Sequence, residues 1–305
     1  MSVLVISPGR DPEAWVQELK NQHPGMQIFA YPEEHNKEDI EYAIAWKHPR
    51  GIFKNYPNLK VIASMGAGVD HITSDPEIPK NVTITRIIDD QLTLDMSAFV
   101  LALVMNHLRN LSFHHNHKSW EPTNYLKIED QNIGVMGVGV LGSAVVKTLT
   151  NVGFKVSGWA TQPKPQSDVT IFGKDQLDEF LGQTTIVVCL LPLTQQTENI
   201  LNKELFKKLP KGAYIINVAR GQHLVEHDLL EMVDTGHLSG ASLDVFRKEP
   251  LPEEHPFWQH PKISITPHIA SVTDPKKVVP QLVENYIRMT EGKPVKNIVK
   301  REKGY

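Results

Sequence analysis

Gly137-Val138-Gly139-Val140-Leu141-Gly142 follows directly on the apolar run at residues 133–136 and opens an amphipathic segment that continues to Leu149. Strand, glycine turn and helix, in that order, is the context a dinucleotide-binding fingerprint requires. Gly137 permits the tight turn, Gly139 lets backbone approach a pyrophosphate, and Gly142 lets the helix pack closely. The helix N-terminus offers free N–H groups to the anion. Val138, Val140 and Leu141 complete the turn and are assigned with the glycines to the cofactor. A glycine-rich turn with no ligand is the plain alternative.

Outward from this turn, short apolar runs alternate with stretches of helical period, the pattern of βαβ units in a parallel sheet. Strands are expected near 133–136, 155–159, 186–191, 213–218, 241–245 and 263–266, six in all, which make a complete Rossmann sheet. Upstream, strands near 3–7, 26–31, 41–46, 60–65 and 82–87 make a smaller, flavodoxin-like domain. Between the two series, residues 92–113 place Leu94, Ala98, Leu101, Ala102, Met105 and Leu108 at spacings of three and four, the period of one packed helix face. Residues 280–290 read as helical, and the tail from Gly292, with Pro294 and few apolar residues, is predicted to return to the first domain. The expected fold class is α/β, with two doubly wound parallel-sheet domains and a cleft between them. Residues 1–96 with 277–305 are expected to form the first, discontinuous domain, and 97–276 the Rossmann domain.

Composition narrows the function. Lys and Arg number 32 against 35 Asp and Glu, a net charge of −3, so no one-signed field draws in nucleic acid or an anionic membrane. A 40% hydrophobic, 22% charged chain is ordinary globular composition and excludes disorder, collagen and coiled coil. The absence of an apolar run of about 18 residues, and of a basic, apolar leader after Met1, predicts a cytoplasmic protein. Cys189 is single and sits in an apolar run, which predicts a buried, inert thiol in a reducing compartment.

The strand at 155–159 lacks the acid that grips the adenosine ribose of NAD. The sequence continues Ala160-Thr161-Gln162-Pro163-Lys164, and the first acid is Asp168. With no carboxylate to repel a 2′-phosphate, and Thr161 and Lys164 as donors beside Ala160, NADP is the preferred cofactor and NAD is admissible. Lys164 as a solvated loop charge is the alternative.

Three further segments leave strands of the same sheet: Asn217-Val218-Ala219-Arg220-Gly221, Asp244 to Glu249-Pro250, and Thr266-Pro267-His268. Ligands of open α/β sheets bind beyond the carboxyl ends of strands, so Arg220, Asp244, Glu249 and His268 are candidates for one crevice. Singly each has a dull reading: a helix-capping or surface arginine, a solvated glutamate, a satisfied buried imidazole. The cluster His114-His115-Asn116-His117 is read as a solvated helix end, since consecutive histidines point different ways, and no metal is expected.

These segments, with Leu191-Pro192-Leu193-Thr194 and Thr197, resemble the D-isomer-specific 2-hydroxyacid dehydrogenase family over nearly the whole chain. Trp46-Lys47, Met65-Gly66-Ala67-Gly68-Val69-Asp70, Pro256-Phe257-Trp258-Gln259-His260-Pro261 and the ending Gly304-Tyr305 are similar to its glyoxylate/hydroxypyruvate reductase A branch. The resemblance implies reduction of a small 2-oxoacid, glyoxylate or hydroxypyruvate, by NAD(P)H, with Arg220, Glu249 and His268 as the catalytic set. It implies that Arg220 holds the carboxylate, that His268 donates the proton and that Glu249 orients and charges the imidazole. Asp244, Leu191, Pro192, Thr197 and Val218 go by it to the cofactor, and Ala67 and Gly68, through backbone N–H groups, to the substrate. Trp46 either closes the substrate pocket or serves as a core indole. The family often has a glutamate where this chain has Ala98. A homodimer joined through the coenzyme domain is expected by the same resemblance. The other readings are a reductase for another 2-oxoacid, with a phosphoglycerate dehydrogenase disfavoured by the missing regulatory domain, and a dinucleotide-sensing corepressor.

Overall fold

Runs of β-branched and other apolar residues, bounded by glycine, proline or polar turns, become the strands of two parallel sheets in the computed structural model. The structure describes the chain except residues 10, 117–119, 123, 164–168 and 305. The chain divides into two compact units, Met1–Gln91 with Thr273–Tyr305, and Leu92–Val272.

The first unit holds β1 (Ser2–Ile6), β2 (Gln27–Ala30), β3 (Ile40–Ala45), β4 (Val61–Ser64) and β5 (Thr83–Thr85), in the order β2-β1-β3-β4-β5. All pairs are parallel. β1 and β4 are buried from end to end, as strands covered on both faces must be. Helix α1 (Glu13–Gln22) follows β1, and the single turn α2 (Asp70–Thr73) follows the loop after β4.

The second unit begins within α3 (Asp90–Arg109), followed by the short α4 (Leu111–Asn116). The expected packed face of α3 is corrected in part, since Leu108 is buried and Leu101 and Met105 pack against the core as expected. Leu92, Met96, Val100, Val104 and Leu108 are buried, whereas Leu94 is 62% exposed and Ala98 and Ala102 are exposed. Both stripes are apolar at helical spacing, so periodicity alone could not choose between them. The helix also stops at Arg109 instead of running to residue 113, because Asn110 takes φ 51, a left-handed conformation asparagine tolerates. By length and apolarity α3 could cross a bilayer, but its Met96-to-Leu108 stripe is part of the unit's core, packed with Ile133, Val145 and Leu149.

Beyond it lie β6 (Asn132–Met136), α5 (Val140–Val152), β7 (Lys155–Trp159), β8 (Thr170–Phe172), α6 (Leu177–Gly182), β9 (Ile186–Cys189), α7 (Lys203–Phe206), β10 (Ala213–Asn217), α8 (Glu226–Asp234), β11 (Leu238–Leu243) and β12 (Ile263–Ile265). Their order is β12-β11-β10-β9-β6-β7-β8, all parallel. There are thus seven strands where six were expected. The addition is β8, three residues paired with Ser157 to Trp159 of β7, too short for any period to show. The strand order reverses between β6 and β9, which makes their carboxyl ends the topological switch point where such sheets bind ligands.

The chain then returns to the first unit through α9 (Pro275–Thr290), capped by Asp274, whose side chain accepts from Lys276 N–H at 3.0 Å. Its buried residues include Val278, Val279, Leu282 and Tyr286. Tyr42 Oη on β3 donates to the Leu282 carbonyl at 3.2 Å. The tail lies along β5: Arg86 N–H donates to Asn297 O (3.1 Å), and Val299 N–H to Ile84 O (2.8 Å). Arg301 then closes the end by donating to the carbonyls of Ile78, Pro79 and Val82.

Candidate active site

The glycine turn is shaped by contacts that only hydrogen atoms fit. Gly137 has φ +100, and a Cβ there would lie 2.6 Å from Leu190 O; one on Gly142 would lie 1.9 Å from Gly137 O. The turn is thus pressed against the carboxyl end of β9 on one side and the first turn of α5 on the other. Gly139 differs. It is the N-cap of α5, carries no side-chain cap, and a Cβ there would meet nothing within 4 Å. The helix therefore presents uncapped N–H groups into open space beside a residue with no side chain, an arrangement suited to a pyrophosphate. Val138 packs on Gly158, where a Cβ would stand 2.5 Å from Val138 Cγ2, so the turn is seated on β7. At the end of β7, Ala160 is partly buried and Thr161 exposed, and Ala160 N–H is tied to Phe172 O of β8 at 3.0 Å. Lys164 lies outside the described residues.

After β9, Leu191 is buried and the loop is closed by Thr197, whose hydroxyl donates to Pro192 O (2.7 Å) and accepts from Thr194 N–H (2.9 Å). Thr197 thereby shapes the loop wall. Cys189 is fully buried on β9, and burial pushes its thiol up to about 12, so it stays protonated and inert.

The loop after β10 carries Arg220. The fully buried Asn217 braces it, accepting from Ala219 N–H (3.2 Å) and donating to Arg220 O (3.0 Å), while Val218 is buried behind. The fully buried His223 accepts from Arg220 N–H at Nδ1 (3.2 Å) and donates from Nε2 to Pro192 O (3.4 Å). The ring thus ties the arginine turn to the β9 loop. Gly221 lies flush on the chain after β11: a Cβ there would be 1.9 Å from the Phe246 carbonyl carbon. Arg247 secures the same junction, donating to Leu224 O (2.8 Å), Gln222 O (3.1 Å) and the Asn199 side chain.

That junction carries Glu249 and the loop after β12 carries His268, and here the geometry is most specific. His268 Nδ1 lies 3.0 Å from both carboxylate oxygens of Glu249. A carboxylate accepts only, so Nδ1 carries the hydrogen, and Nε2 on the opposite edge has no partner among the described residues. Phe246 N–H donates to Glu249 Oε1 at 3.2 Å and steadies the acid. His268 also has φ 54. A non-glycine residue held there costs on the order of 1–3 kcal/mol, and such positions cluster at functional sites. Asp244, fully buried at the end of β11, spends its carboxylate on the His268 loop through bonds to Thr266, Ile269 and Ala270.

In the first unit, the loop at residues 65–69 is folded around Ser64, whose hydroxyl donates to Gly68 O (2.8 Å) and accepts from Gly66 N–H (3.2 Å). The N–H groups of Ala67 and Gly68 have no acceptor among the described residues, and both residues are partly exposed. Trp46 stands edge-on to His71, ring centroids 4.5 Å apart, and a Cβ on Gly66 would be 3.0 Å from its ring. The indole therefore packs on the loop's glycine face. Behind it, buried Asp75 accepts from His48 Nε2 (3.1 Å), Gly51 N–H (2.8 Å) and Glu77 N–H (3.0 Å). Burial opposes the Asp75 charge, but these donors outweigh it and hold the carboxyl below its usual range. Burial likewise pulls His48 down.

Sequence reasoning missed Asn217, Gly221, His223, Arg247 and Thr266. Gly221, Asn217 and Thr266 stood in the quoted segments without a role, and Asn217 braces only its own turn. The ties of His223 to Pro192, Arg247 to Leu224 and Thr266 to Asp244 span more than 20 residues, and no spacing reveals them.

The second unit thus carries a glycine cradle at the switch point of its parallel sheet, and a histidine–carboxylate pair and an arginine on loops leaving the same sheet. Residues 98–270 match the family described as D-isomer specific 2-hydroxyacid dehydrogenase, NAD binding domain. Over 314 aligned residues the chain is 37% identical to glyoxylate/hydroxypyruvate reductase A of Photorhabdus laumondii and 36% to that of Yersinia enterocolitica, with all of each chain covered. Among solved structures, a D-isomer specific 2-hydroxyacid dehydrogenase from Xanthobacter autotrophicus Py2, in complex with NADPH and MES, is 36% identical with TM-score 0.93, covering 100% of this chain and 99% of that one. An NADPH-dependent glyoxylate/hydroxypyruvate reductase from Sinorhizobium meliloti, with NADP and sulfate, is 34% identical with TM-score 0.92, covering both chains fully. The chain belongs to the D-isomer-specific 2-hydroxyacid dehydrogenase family and is an NAD(P)-dependent oxidoreductase. That sets aside the binding-protein alternative.

Proposed function

We propose that this enzyme reduces glyoxylate and hydroxypyruvate to glycolate and D-glycerate, with NADPH preferred over NADH. Bound NADPH supplies a hydride to the carbonyl carbon. The observation that carries the reading is the His268–Glu249 pair, Nδ1 at 3.0 Å from both carboxylate oxygens, in the sheet that carries the glycine turn. Glu249 fixes the ring's orientation through Nδ1, and Nε2–H of His268 gives its proton to the carbonyl oxygen as that oxygen gains negative charge. Arg220, a planar and permanently charged fork, binds the substrate carboxylate and polarises the carbonyl. In the first unit, the N–H groups of Ala67 and Gly68 are donors for the same kind of anion, with Trp46 packing beside them. Asp244, Leu191, Pro192, Thr197 and Val218 shape the coenzyme's surroundings from the loops beyond the strands.

Relatives at 34–37% identity named glyoxylate/hydroxypyruvate reductase A support the substrate, and neighbours holding NADPH or NADP support the nucleotide. The missing acid at Ala160 and Thr161 supports it independently. Steady-state kinetics with a panel of 2-oxoacids against NADPH and NADH is the test. A kcat/KM clearly higher with NADH defeats the nucleotide preference, and no turnover of either oxoacid defeats the substrate assignment.

The protein's own surface favours a homodimer joined through the second unit. Leu94, Leu111, Trp120, Tyr125 and Leu126 of that unit are between 44% and 101% exposed, and large apolar side chains left in water are what such an interface would cover. A sedimentation measurement giving a monomer at micromolar concentration overturns this. The unpaired, buried Cys189 suits a cytoplasmic, reducing setting.

A further inference from the structure

Asp244 is fully buried, and its carboxylate is already occupied by the protein. Oδ1 accepts from the Thr266 hydroxyl at 2.6 Å and from Ile269 N–H at 2.9 Å, and Oδ2 accepts from Ala270 N–H at 2.9 Å. The three donors lie two residues before His268, one after it and two after it. His268 itself has φ 54, and its own N–H donates to Thr266 O at 3.1 Å. The bracket is anchored in the sheet, since Asp244 N–H donates to Asn217 O and Thr266 N–H to Leu243 O, both at 3.0 Å.

A left-handed histidine persists only where its surroundings over-determine it. Charge-assisted bonds from a carboxylate that cannot move are suited to that task. We propose that Asp244 and Thr266 are positioning residues for proton transfer, holding His268 in the left-handed conformation from which Nδ1 meets Glu249 and Nε2 is presented to the reacting oxygen. This rests on His268 being the proton donor. Asp244 keeps one free acceptor direction, which a coenzyme amide can use, so the positioning role adds to a cofactor contact without excluding it.

Thr266→Val removes the hydroxyl at constant shape, and Thr266→Ser keeps it. Once Oδ1 loses that donor, the loop relaxes, the contact between Nδ1 and Glu249 loosens, and Nε2 is no longer held toward the reacting oxygen. A misaimed donor slows the chemical step and leaves substrate and coenzyme binding in place. We expect kcat of Thr266→Val to fall about tenfold to a hundredfold, the scale of a misplaced catalytic group. We also expect its KM for the oxoacid and its NADPH Kd, read by fluorescence, to stay within about twofold, and Thr266→Ser to restore the rate. A purely structural role would lower Tm and leave kcat of the folded variant unchanged. A wild-type kcat in Thr266→Val, or a lower Tm alone, overturns the proposal. If Thr266→Val does not fold, Asp244→Asn, which turns one acceptor into a donor, must lower kcat in the same way, and an unchanged kcat overturns it equally. His268→Ala, run in parallel, separates the two claims. Wild-type turnover there removes His268 as the donor, whereas an inactive His268→Ala beside an unaffected Thr266→Val sinks the positioning role alone.

Discussion

In the proposed mechanism His268 has to be correctly aimed, and two sets of neighbours hold it. Glu249 stands 3.0 Å from Nδ1, and Asp244 bonds Thr266 and the N–H groups of the loop on either side of the ring. The residue types at the strand exits were legible in the sequence because arginine, glutamate and histidine each follow an apolar run. The φ of 54 at His268 was not, since the sequence shows a proline before it but nothing of the bonds that hold it. Arg220 allows a sharper test at this scale. Arg220→Lys keeps the charge and loses the planar fork, so both kcat and KM should worsen, by about 1–3 kcal/mol in kcat/KM for a lost charged hydrogen bond. A variant with wild-type kcat/KM for glyoxylate would remove the arginine from carboxylate binding. His107 offers a test of stability. Its ring stacks on Tyr214, centroids 3.7 Å apart, and burial pulls its pKa down to about 4 from an ordinary 6.5. The unfolded chain binds the proton first, so this stability is complete above about pH 6.5 and is lost as pH falls toward 4. His107→Phe keeps a stacking ring without the proton, and its Tm should fall less than wild type between about pH 7 and about pH 4, a window that spans the ordinary and the lowered value. Parallel Tm curves would exclude His107 as an acid-labile site.

At the scale of elements, what the sequence revealed depended on length. β7 is read with its observed ends, Lys155 to Trp159, because five residues with clear borders suffice. β8 was missed because Thr170-Ile171-Phe172 is a strand only by virtue of pairing with β7. In α3 the helix was legible and its buried stripe was not, since both stripes are apolar and only the tertiary neighbours Ile133 and Val145 decide. Gly221 is where two loops meet with no room between them. Gly221→Ala would push a methyl into the Phe246 backbone and spread the loops carrying Arg220 and Glu249. We expect kcat to fall by about a hundredfold, while NADPH binding, assigned by our proposal to the glycine turn after β6, changes little. Unchanged kcat in a folded variant would show that the junction does not set the site's geometry.

For the whole molecule, the first unit is built from both ends of the sequence and the second from the middle. The tail contributes buried Val299, a backbone pairing along β5 and the Arg301 contacts to three carbonyls. Truncation after Gly292 should therefore strip hydrogen-exchange protection from β4 and β5, while the second unit keeps its protection and still binds NADPH. Full protection of β5 in the truncated chain would show that the tail is dispensable.

The split first unit also has a consequence for how the protein is made. On the ribosome, β1 to β5 emerge first, but α9 and the tail that complete their unit emerge only after all of Leu92–Val272. At ordinary synthesis rates of about 5–20 residues per second that interval is on the order of ten to forty seconds. The second unit is complete before the first acquires α9 and its tail, so it can fold while the β1–β5 segment still lacks that helix and the pairing along β5. The earliest-made part of the chain is accordingly the part most exposed to chaperones, to proteases and to edge-to-edge pairing with neighbouring nascent chains.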